Sequence, residues 1–347
     1  MQVAIIGGGL AGLALGRHLQ RAGADFQLFE ARARFGGRID ALRVPGGAVD
    51  LGPSWFWPGQ PRMAALLKDL KIASFEQFAH GAACYEDDAG RVHMGRGYAS
   101  MAGALRVKGG VSALIDALAD QLPQDRLHLS SAVWTLGEDG RITLGDGSTA
   151  QAETIVLALP PRIAAGLSFA PGLPQGARTA MAAIPTWMAG HAKFTAVYDA
   201  PFWRANGLSG DAVSARGPLA EIHDASGRDG TPAALFGFVG VRPQDRAGWA
   251  ADITEAALDQ LARIFGEAAR RPLTSALTDW ATAPETATTA DHAPLRAHPA
   301  YGLPAALRGL WGGKLHFASS EVAPEAGGLM EGALAAAGHV AALVATP

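Results

Sequence analysis

The sequence contains a single cysteine, Cys84, so an intrachain disulfide and a cysteine-rich metal site are both excluded. We expect no bound metal. Lysine and arginine total 29 against 32 aspartate and glutamate residues, which gives a net charge of −3 without any basic block. Nucleic acids and anionic membranes are therefore unfavoured partners. One unpaired cysteine fits a reducing compartment, so we expect a cytoplasmic protein.

Long hydrophobic runs are also missing. The most apolar C-terminal run, residues 332–347, is too short to span a bilayer and predicts a buried helix. An apolar strand begins almost at once after Gln2, so no cleavable leader is expected. Hydrophobic residues make up 49% of the sequence and charged residues 18%, which is typical of a globular protein. Because 347 residues are many for one compact core, we expect two lobes.

Glycine, in contrast, is abundant, and the first forty residues place it in a defined order. The apolar run at residues 3–6 predicts a buried strand, and leucine and alanine then recur at helical spacing until Gly23. Gly7, Gly9 and Gly12 stand between this strand and this helix in a G-x-G-x-x-G arrangement. Residues 26–29 predict a second strand.

This arrangement predicts a dinucleotide-binding turn. The first glycine makes the turn, the second lets the backbone approach a pyrophosphate, and the third lets helix and strand pack closely. The uncovered N–H groups of the helix start, including Leu10 and Ala11, attract phosphate. Glu30, at the end of the second strand, can accept hydrogen bonds from ribose hydroxyls and would repel the 2′-phosphate of NADP.

Two segments further along the chain also have patterns typical of ligand contact. The paired glycines of RFGGR, residues 34–38, indicate another close backbone approach, and Arg38 can reach a phosphate. Residues 47–57 form an extended run with Asp50, Gly52 and three aromatic residues. These aromatic side chains either face a flat ligand or close the edge of the core.

The remaining pattern alternates helices and strands. Helices are expected at 62–70, 109–122, 253–265 and 329–343; strands at 127–136, 154–159, 193–198 and 235–241; a hairpin at 141–147; and a long loop at 281–300.

Five stretches in this order resemble the flavin-containing amine oxidase superfamily, which includes the monoamine and polyamine oxidases. They are the segment 3–30; RFGGR with the DLG of residues 50–52; the GG and helix of 109–122; AETIVLALPP at 152–161; and LHFASSE through GGLMEGAL at 315–334.

The resemblance implies an α/β fold: a Rossmann-like FAD-binding domain with a second, smaller α+β substrate domain built from inserted segments. The FAD-binding domain would comprise residues 1–60, 105–183 and 279–347, and the substrate domain residues 61–104 and 184–278.

It also implies non-covalent FAD, since no cysteine lies in the segment that can attach flavin covalently. Glu30 would hold the adenosine ribose, Arg38 the phosphate or flavin region, the Val133 backbone the adenine, and Glu321 the ribityl or pyrophosphate part. The start of the last helix would point N–H groups at the flavin N1/O2 edge. The full cofactor set is Gly7, Gly9, Leu10, Ala11, Gly12, Glu30, Ala31, Arg32, Gly37, Arg38, Gly52, Val133, Glu321, Leu329 and Met330.

Lys193 aligns with the family lysine that holds a water near flavin N5, and we expect it to be catalytic. A lysine in an apolar site has a lowered pKa and can relay protons; the alternative is a lysine reaching out to solvent at a strand end. The substrate pocket is expected to contain Trp55, Trp187, Trp280 and Leu329. His191 and His316 are candidate proton acceptors or ordinary structural histidines.

The sequence departs from the family in two respects. Leu329 stands where monoamine oxidases place an aromatic residue before the flavin, and the chain is short after Trp57. The leading hypothesis is an FAD-dependent oxidase that acts on a small amine by hydride transfer and passes electrons to oxygen, giving hydrogen peroxide, or to another acceptor. A renalase-like or desaturase-like flavoprotein and a non-catalytic FAD-binding partner protein are the alternatives.

Overall fold

The computed structural model describes residues 1–295 and 297–344. The strands are β1 Val3–Ile6, β2 Phe26–Phe29, β3 Ala41–Val44, β4 Gly47–Asp50, β5 Ser74–Glu76, β6 Ala82–Glu86, β7 Val92–Met94, β8 Leu105–Val107, β9 Leu127–His128, β10 Val133–Gly137, β11 Arg141–Leu144, β12 Thr149–Gln151, β13 Thr154–Leu157, β14 Ser168–Ala170, β15 Ala192–Tyr198, β16 Leu208–Ser214, β17 Leu219–Asp224, β18 Ala233–Val239, β19 Thr274–Asp279 and β20 Leu315–Phe317. The helices are α1 Leu10–Arg21, α2 Pro61–Leu70, α3 Ser112–Asp120, α4 Pro161–Ala164, α5 Gln175–Ala183, α6 Phe202–Ala205, α7 Pro243–Arg246, α8 Ala250–Phe265 and α9 Met330–Val344.

The first sheet has the order β20-β13-β1-β2-β9, and its neighbouring strands are parallel. Every residue of β1 is buried, as its apolar sequence predicts for a strand covered on both faces. The strand predicted at 154–159 does return to this sheet, where Thr154 pairs with Val3. The carboxyl ends of β1, β2, β13 and β20 therefore share one edge, which is where open α/β sheets bind ligands.

One face of the first sheet is covered by α1, α3 and α9, whose apolar side chains form a single buried cluster. The predicted helix end at Gly23 is confirmed, because this glycine has φ +74° just after α1. Helix α2 joins the same cluster through Met63, Leu66 and Leu67. Residues 61–70, which we expected in the substrate domain, thus pack their apolar face in the core of the first sheet, against α9.

The second sheet has seven strands in the order β19-β15-β18-β17-β16-β6-β7. Helix α8 covers one face, burying Ile253, Leu261 and Phe265 against this sheet. Strands β16 and β17 carried no clear sequence signal, because they bury polar side chains, including Asp211 and His223, where a strand pattern would show apolar ones.

The single strand predicted at 127–136 is two strands in different sheets. Strand β9 pairs with β2, and β10 begins a four-stranded sheet of order β12-β11-β10-β14. The break lies at Ser130, whose φ of +52° turns the chain. This turn wraps the end of β2, since the Ser131 N–H donates to the Glu30 carbonyl. The predicted hairpin is confirmed as β11 and β12.

Within residues 1–295 and 297–344, no helix has the length and apolarity needed to cross a membrane. The same residues contain no group of three or more histidine, cysteine, aspartate and glutamate side chains able to hold a metal ion.

Candidate functional site

A cavity of about 490 Å³ opens along the carboxyl edge of the first sheet and extends to the second. Its volume falls in the range of small-molecule sites. Of the residues predicted to bind cofactor, those that line it are Gly7, Gly9, Leu10, Ala11, Glu30, Ala31, Arg32, Gly37, Arg38, Gly52, Val133, Leu329 and Met330. Its other end is lined by Lys193, Trp55, Trp187 and Trp280. One cavity thus joins the predicted cofactor and substrate residues.

The three glycines of the first turn differ in what requires them. A Cβ at Gly7 would lie 2.7 Å from the Ala158 carbonyl oxygen, and one at Gly12 would lie 1.9 Å from that of Gly7. The fold itself excludes side chains there. At Gly9 the backbone is extended, with φ −76°, and the nearest atom to a Cβ would be the Gly36 oxygen at 3.8 Å. Because neither strain nor packing requires glycine at position 9, a ligand lying against the backbone explains it.

Helix α1 begins at Leu10 directly beside this glycine. No side chain of the described residues caps its start, and its first turn has no acidic residue. The first N–H groups of a helix have no intrahelical acceptor and lie at the positive end of its dipole. The cavity therefore presents backbone donors and space for an anionic group at the same place.

Glu30 is buried at the end of β2. Its Oε2 accepts the Gly8 N–H at 2.7 Å and its Oε1 accepts the Arg32 N–H at 2.8 Å. Each carboxylate oxygen retains a free lone pair for a hydroxyl donor. The Arg32 side chain turns the other way and donates to Thr286 Oγ1 at 3.0 Å while pairing with Glu285 at 3.1 Å.

Arg38 and Glu321 form a two-point ion pair. Nη1 of Arg38 lies 2.6 Å from Oε1 of Glu321, and Nη2 lies 3.1 Å from Oε2. Burial alone would lower the pKa of the guanidinium, but the Glu321 carboxylate raises it above its usual value. Glu321 is fully buried and does not line the cavity, so it lies behind Arg38. Gly12, which packs α1 on β1, is likewise outside the lining.

The start of α9 reaches the cavity from the other side, where Leu329, Met330 and Ala333 line its wall. Ser319, just after β20, also lines it, and its Oγ is buried without a hydrogen-bond partner among the described residues. A buried hydroxyl of this kind needs a partner, which a bound polar group would supply.

Of the three tryptophans at the far end, two are held by hydrogen bonds and the third by a ring contact. The Trp55 Nε1 donates to Gln77 at 2.8 Å, and the Trp280 Nε1 donates to the Leu51 carbonyl at 3.2 Å. Trp187 packs against His298, with ring centroids 4.5 Å apart. Their indole faces are therefore fixed as apolar walls.

Lys193 is buried, with 3% of its surface exposed, which contradicts the alternative of a lysine reaching solvent. Its Nζ donates to Ser54 Oγ at 2.8 Å and to the Gly52 carbonyl at 3.1 Å, and lies 3.8 Å from the centroid of the Phe236 ring. Burial lowers the pKa of this amine from 10.5 to about 7, although the nearby Asp50 carboxylate opposes the shift. At neutral pH it can both give and take a proton.

The two candidate histidines occupy different places. His191 lines the cavity, and burial, followed by the Arg246 charge, lowers its pKa so that the neutral ring is favoured. His316 lies on β20 and does not line the cavity, which favours the alternative of a structural histidine.

Sequence reasoning also missed several lining residues. Pro284, Glu285 and Thr286 belong to the segment 281–300, interpreted as a featureless loop, yet they cover the cavity beside Arg32. Phe238 on β18 and Met188 complete the far end. The polar, aperiodic sequence of the loop gave no signal that could have identified it.

The fold and this cavity define a dinucleotide-binding protein, and comparison with known proteins makes the class specific. The family model described as flavin containing amine oxidoreductase matches residues 10–97 and 85–345. The chain belongs to this family. Its cofactor is FAD, and the glycine turn, the uncapped helix start and the unpartnered Ser319 hydroxyl fit that group.

Individual relatives extend over nearly the whole chain. A Mycobacterium tuberculosis protein named as flavin-containing monoamine oxidase AofH is 28% identical over an alignment of 456 positions, covering 99% of this chain and 96% of the relative. The putrescine oxidase of Kocuria rosea is 23% identical over 78% of this chain and 80% of its own. Because the first alignment exceeds 347 positions, the relative has segments that this chain lacks.

Solved structures show the same fold. Cyclohexylamine oxidase from Brevibacterium oxydans superposes with a TM-score of 0.81 at 22% identity, covering 99% of this chain and 98% of that one. A putrescine oxidase bound to putrescine superposes with a TM-score of 0.80 at 21% identity and the same coverage.

Proposed function

We propose that this protein oxidises the C–N bond of an amine with an apolar body. When bound, FAD would supply the redox chemistry, taking a hydride from the substrate carbon and passing the electrons to oxygen to give hydrogen peroxide, and the imine product would hydrolyse in water. The remaining steps concern residues of this chain.

The observation that carries the proposal is the place of Lys193. An alkylammonium must lose a proton before its nitrogen lone pair can form the imine, so the site needs a group that accepts protons near neutrality. The Lys193 amine, with a pKa of about 7, lines the aromatic end of the cavity. We infer that its Nζ, held by Ser54 and Gly52, moves that proton directly or through a water.

The aromatic end supports an amine with an apolar body. Trp55, Trp187, Trp280 and Phe238 offer ring faces, which attract both alkyl groups and ammonium cations. Leu329 gives a branched aliphatic wall in place of a second aromatic face. We infer that these residues orient the substrate carbon and exclude water from it.

We assign the cofactor residues from the family resemblance, and their places in the cavity support the assignment. Glu30 holds the adenosine ribose, Val133 lies at the adenine, and the starts of α1 and α9 face anionic groups. Arg38 supplies a fixed positive charge, with Glu321 holding it from behind. Cys84 does not line the cavity, so no thiol is available there to link the flavin covalently.

The decisive experiment is anaerobic reduction of the purified protein by a panel of primary amines, polyamines, amino acids and reduced nicotinamides. We expect bleaching of the flavin by apolar primary amines, and peroxide release in step with oxygen uptake when air is admitted. Free FAD with the same compounds is the control.

Bleaching by reduced nicotinamides alone would contradict the proposal and favour the renalase-like alternative. Electron transfer to quinones or dyes but not to oxygen would make the protein a dehydrogenase. Flavin that none of these compounds reduces would favour a non-catalytic FAD-binding protein.

A further inference from the structure

A layer of buried charge lies directly behind Lys193. Asp50, at the end of β4, is 2% exposed, and Arg106, on β8, is 5% exposed. Neither lines the cavity. Burying two charged groups is unfavourable unless they are fully paired, so their arrangement needs a reason.

Asp50 and Arg106 do not form a hydrogen bond with each other. The Arg106 Nη2 lies 3.7 Å from the Asp50 Oδ2, which exceeds hydrogen-bond length. The Asp50 Oδ1 accepts the Val111 N–H at 2.7 Å, and the Arg106 Nη1 donates to the Ser226 carbonyl at 2.7 Å. The Asp50 Oδ2 and the Arg106 Nε have no hydrogen-bond partner among the described residues. At 3.7 Å the two groups still attract each other as a loose ion pair, but no hydrogen bond joins them, so each charge also acts on neighbouring groups.

Lys193 is the group on which they act. The residues that hold its Nζ, Gly52 and Ser54, follow Asp50 on the same extended segment, so carboxylate and amine are held by one stretch of backbone. Burial lowers the pKa of the Lys193 amine most, the Asp50 carboxylate raises it, and the Arg106 guanidinium lowers it further.

Other charged groups packed around this layer are engaged with partners of their own. His191, on the approach to β15, is favoured neutral. The paired groups are Asp224 with Arg204 on one side of Arg106, Asp279 with Arg246 beyond β19, and His223 with Asp211 and Glu221 on β17. On β18 the neighbour of Nζ is the uncharged Phe236 ring.

Resting on the function proposed above, we propose that Asp50 and Arg106 are positioning residues that act through Lys193 in opposite directions. The Asp50 carboxylate holds a proton on Nζ, and the Arg106 guanidinium favours its release. Together they keep the amine ready to exchange protons with substrate at neutral pH.

The test reads Lys193 directly in the FAD-loaded protein. The sequence has only five lysines, so labelling lysine isotopically at Cε and recording NMR spectra against pH resolves each one, and Lys193→Met identifies the Lys193 signal. We expect Asp50→Asn to lower its titration midpoint and Arg106→Met to raise it, each by about one pH unit.

The matched controls are Asp116→Asn and Arg43→Met, which remove the same charges from an exposed pair and should not move the midpoint. The pH profile of flavin reduction by amine should shift with each buried variant, and this shift should vanish in the Lys193→Met background.

Opposite shifts in the two variants support the proposal, because general loosening of the site would move both the same way. Unmoved midpoints, or shifts in one direction, overturn it. If Asp50→Asn does not fold, Arg106→Lys takes its place, because it alters the packing but keeps the charge: the midpoint should rise in Arg106→Met and not in Arg106→Lys, and an equal rise in both overturns the proposal. The NMR titration needs no turnover, so it stands even if no amine proves to be a substrate.

Discussion

The Nζ of Lys193 lies 2.8 Å from the Oγ of Ser54, although the two residues are 139 positions apart in the sequence. This hydrogen bond joins β15 of the second sheet to the segment that follows β4. Since both residues line the cavity, it also fixes where the amine faces it. A lysine held in this way cannot turn to solvent without losing two hydrogen bonds.

Lys193→Met should therefore slow flavin reduction by amine without releasing FAD. Losing a positioned proton acceptor lowers rates by about 10²–10⁴-fold. Stopped-flow absorbance under anaerobic conditions measures the rate, and acid precipitation measures the FAD content. Lys68→Met, on the exposed face of α2, is the control. An unchanged rate would leave Lys193 with a structural role only.

The same lysine makes stability depend on pH. In the folded protein its pKa is about 7, and in the unfolded chain it returns to 10.5. Between these values the unfolded chain binds more protons, so the free energy of unfolding should rise with pH, by up to a few kcal/mol. Urea unfolding at several pH values in this window should show the rise in the wild type but not in Lys193→Met. If the free energy of unfolding depends on pH in the same way in both proteins, the lowered pKa of Lys193 is contradicted.

Two glycines of the first turn have different roles: the fold requires Gly12, whereas ligand binding requires Gly9. Gly9→Ala should leave the apoprotein as stable as the wild type but weaken FAD binding, because only the ligand meets the new methyl group. Gly12→Ala should destabilise the apoprotein itself, since its Cβ would collide with the Gly7 carbonyl. Thermal unfolding without FAD and fluorescence titration with FAD distinguish the two. Full FAD affinity in Gly9→Ala would show that no ligand approaches this backbone.

Glu321→Gln should destabilise the apoprotein by up to about 3 kcal/mol, because it leaves the Arg38 charge partly buried without its carboxylate. Urea denaturation of the apoprotein measures this loss. Asp116→Asn, which breaks an exposed pair with Arg43, should change stability little. Equal effects of the two substitutions would show that burial adds nothing to the Arg38–Glu321 pair.

Much of the cofactor end could be predicted because its signals are local. Gly7, Gly9 and Gly12 follow one strand closely, and Glu30 ends the next, so spacing alone places them at one sheet edge. Lys193 stood out as a charged residue in an apolar strand. Its acceptors could not be predicted, since Ser54 and Gly52 lie in a distant segment.

The sequence is least informative where tertiary packing decides. Helix α2 has an ordinary amphipathic sequence, and nothing in it tells which core it joins. The turn at Ser130 follows from the hydrogen bonds of its neighbours to the end of β2, which no local pattern encodes. The loop residues Glu285 and Thr286 acquire a role only because Arg32 reaches them.

The Arg38–Glu321 pair spans 283 positions of sequence, and α1 packs along α9 at a similar separation. Contacts this distant slow folding, because a long stretch of chain must be ordered before they are made. During synthesis, the part of α1 that packs on α9 stays uncovered until α9 has been made, whereas the part that packs on α3 can be covered earlier. A ligand that binds only the completed site stabilises the folded state over the unfolded state. The availability of FAD once α9 has been made should therefore influence how much of the new protein folds.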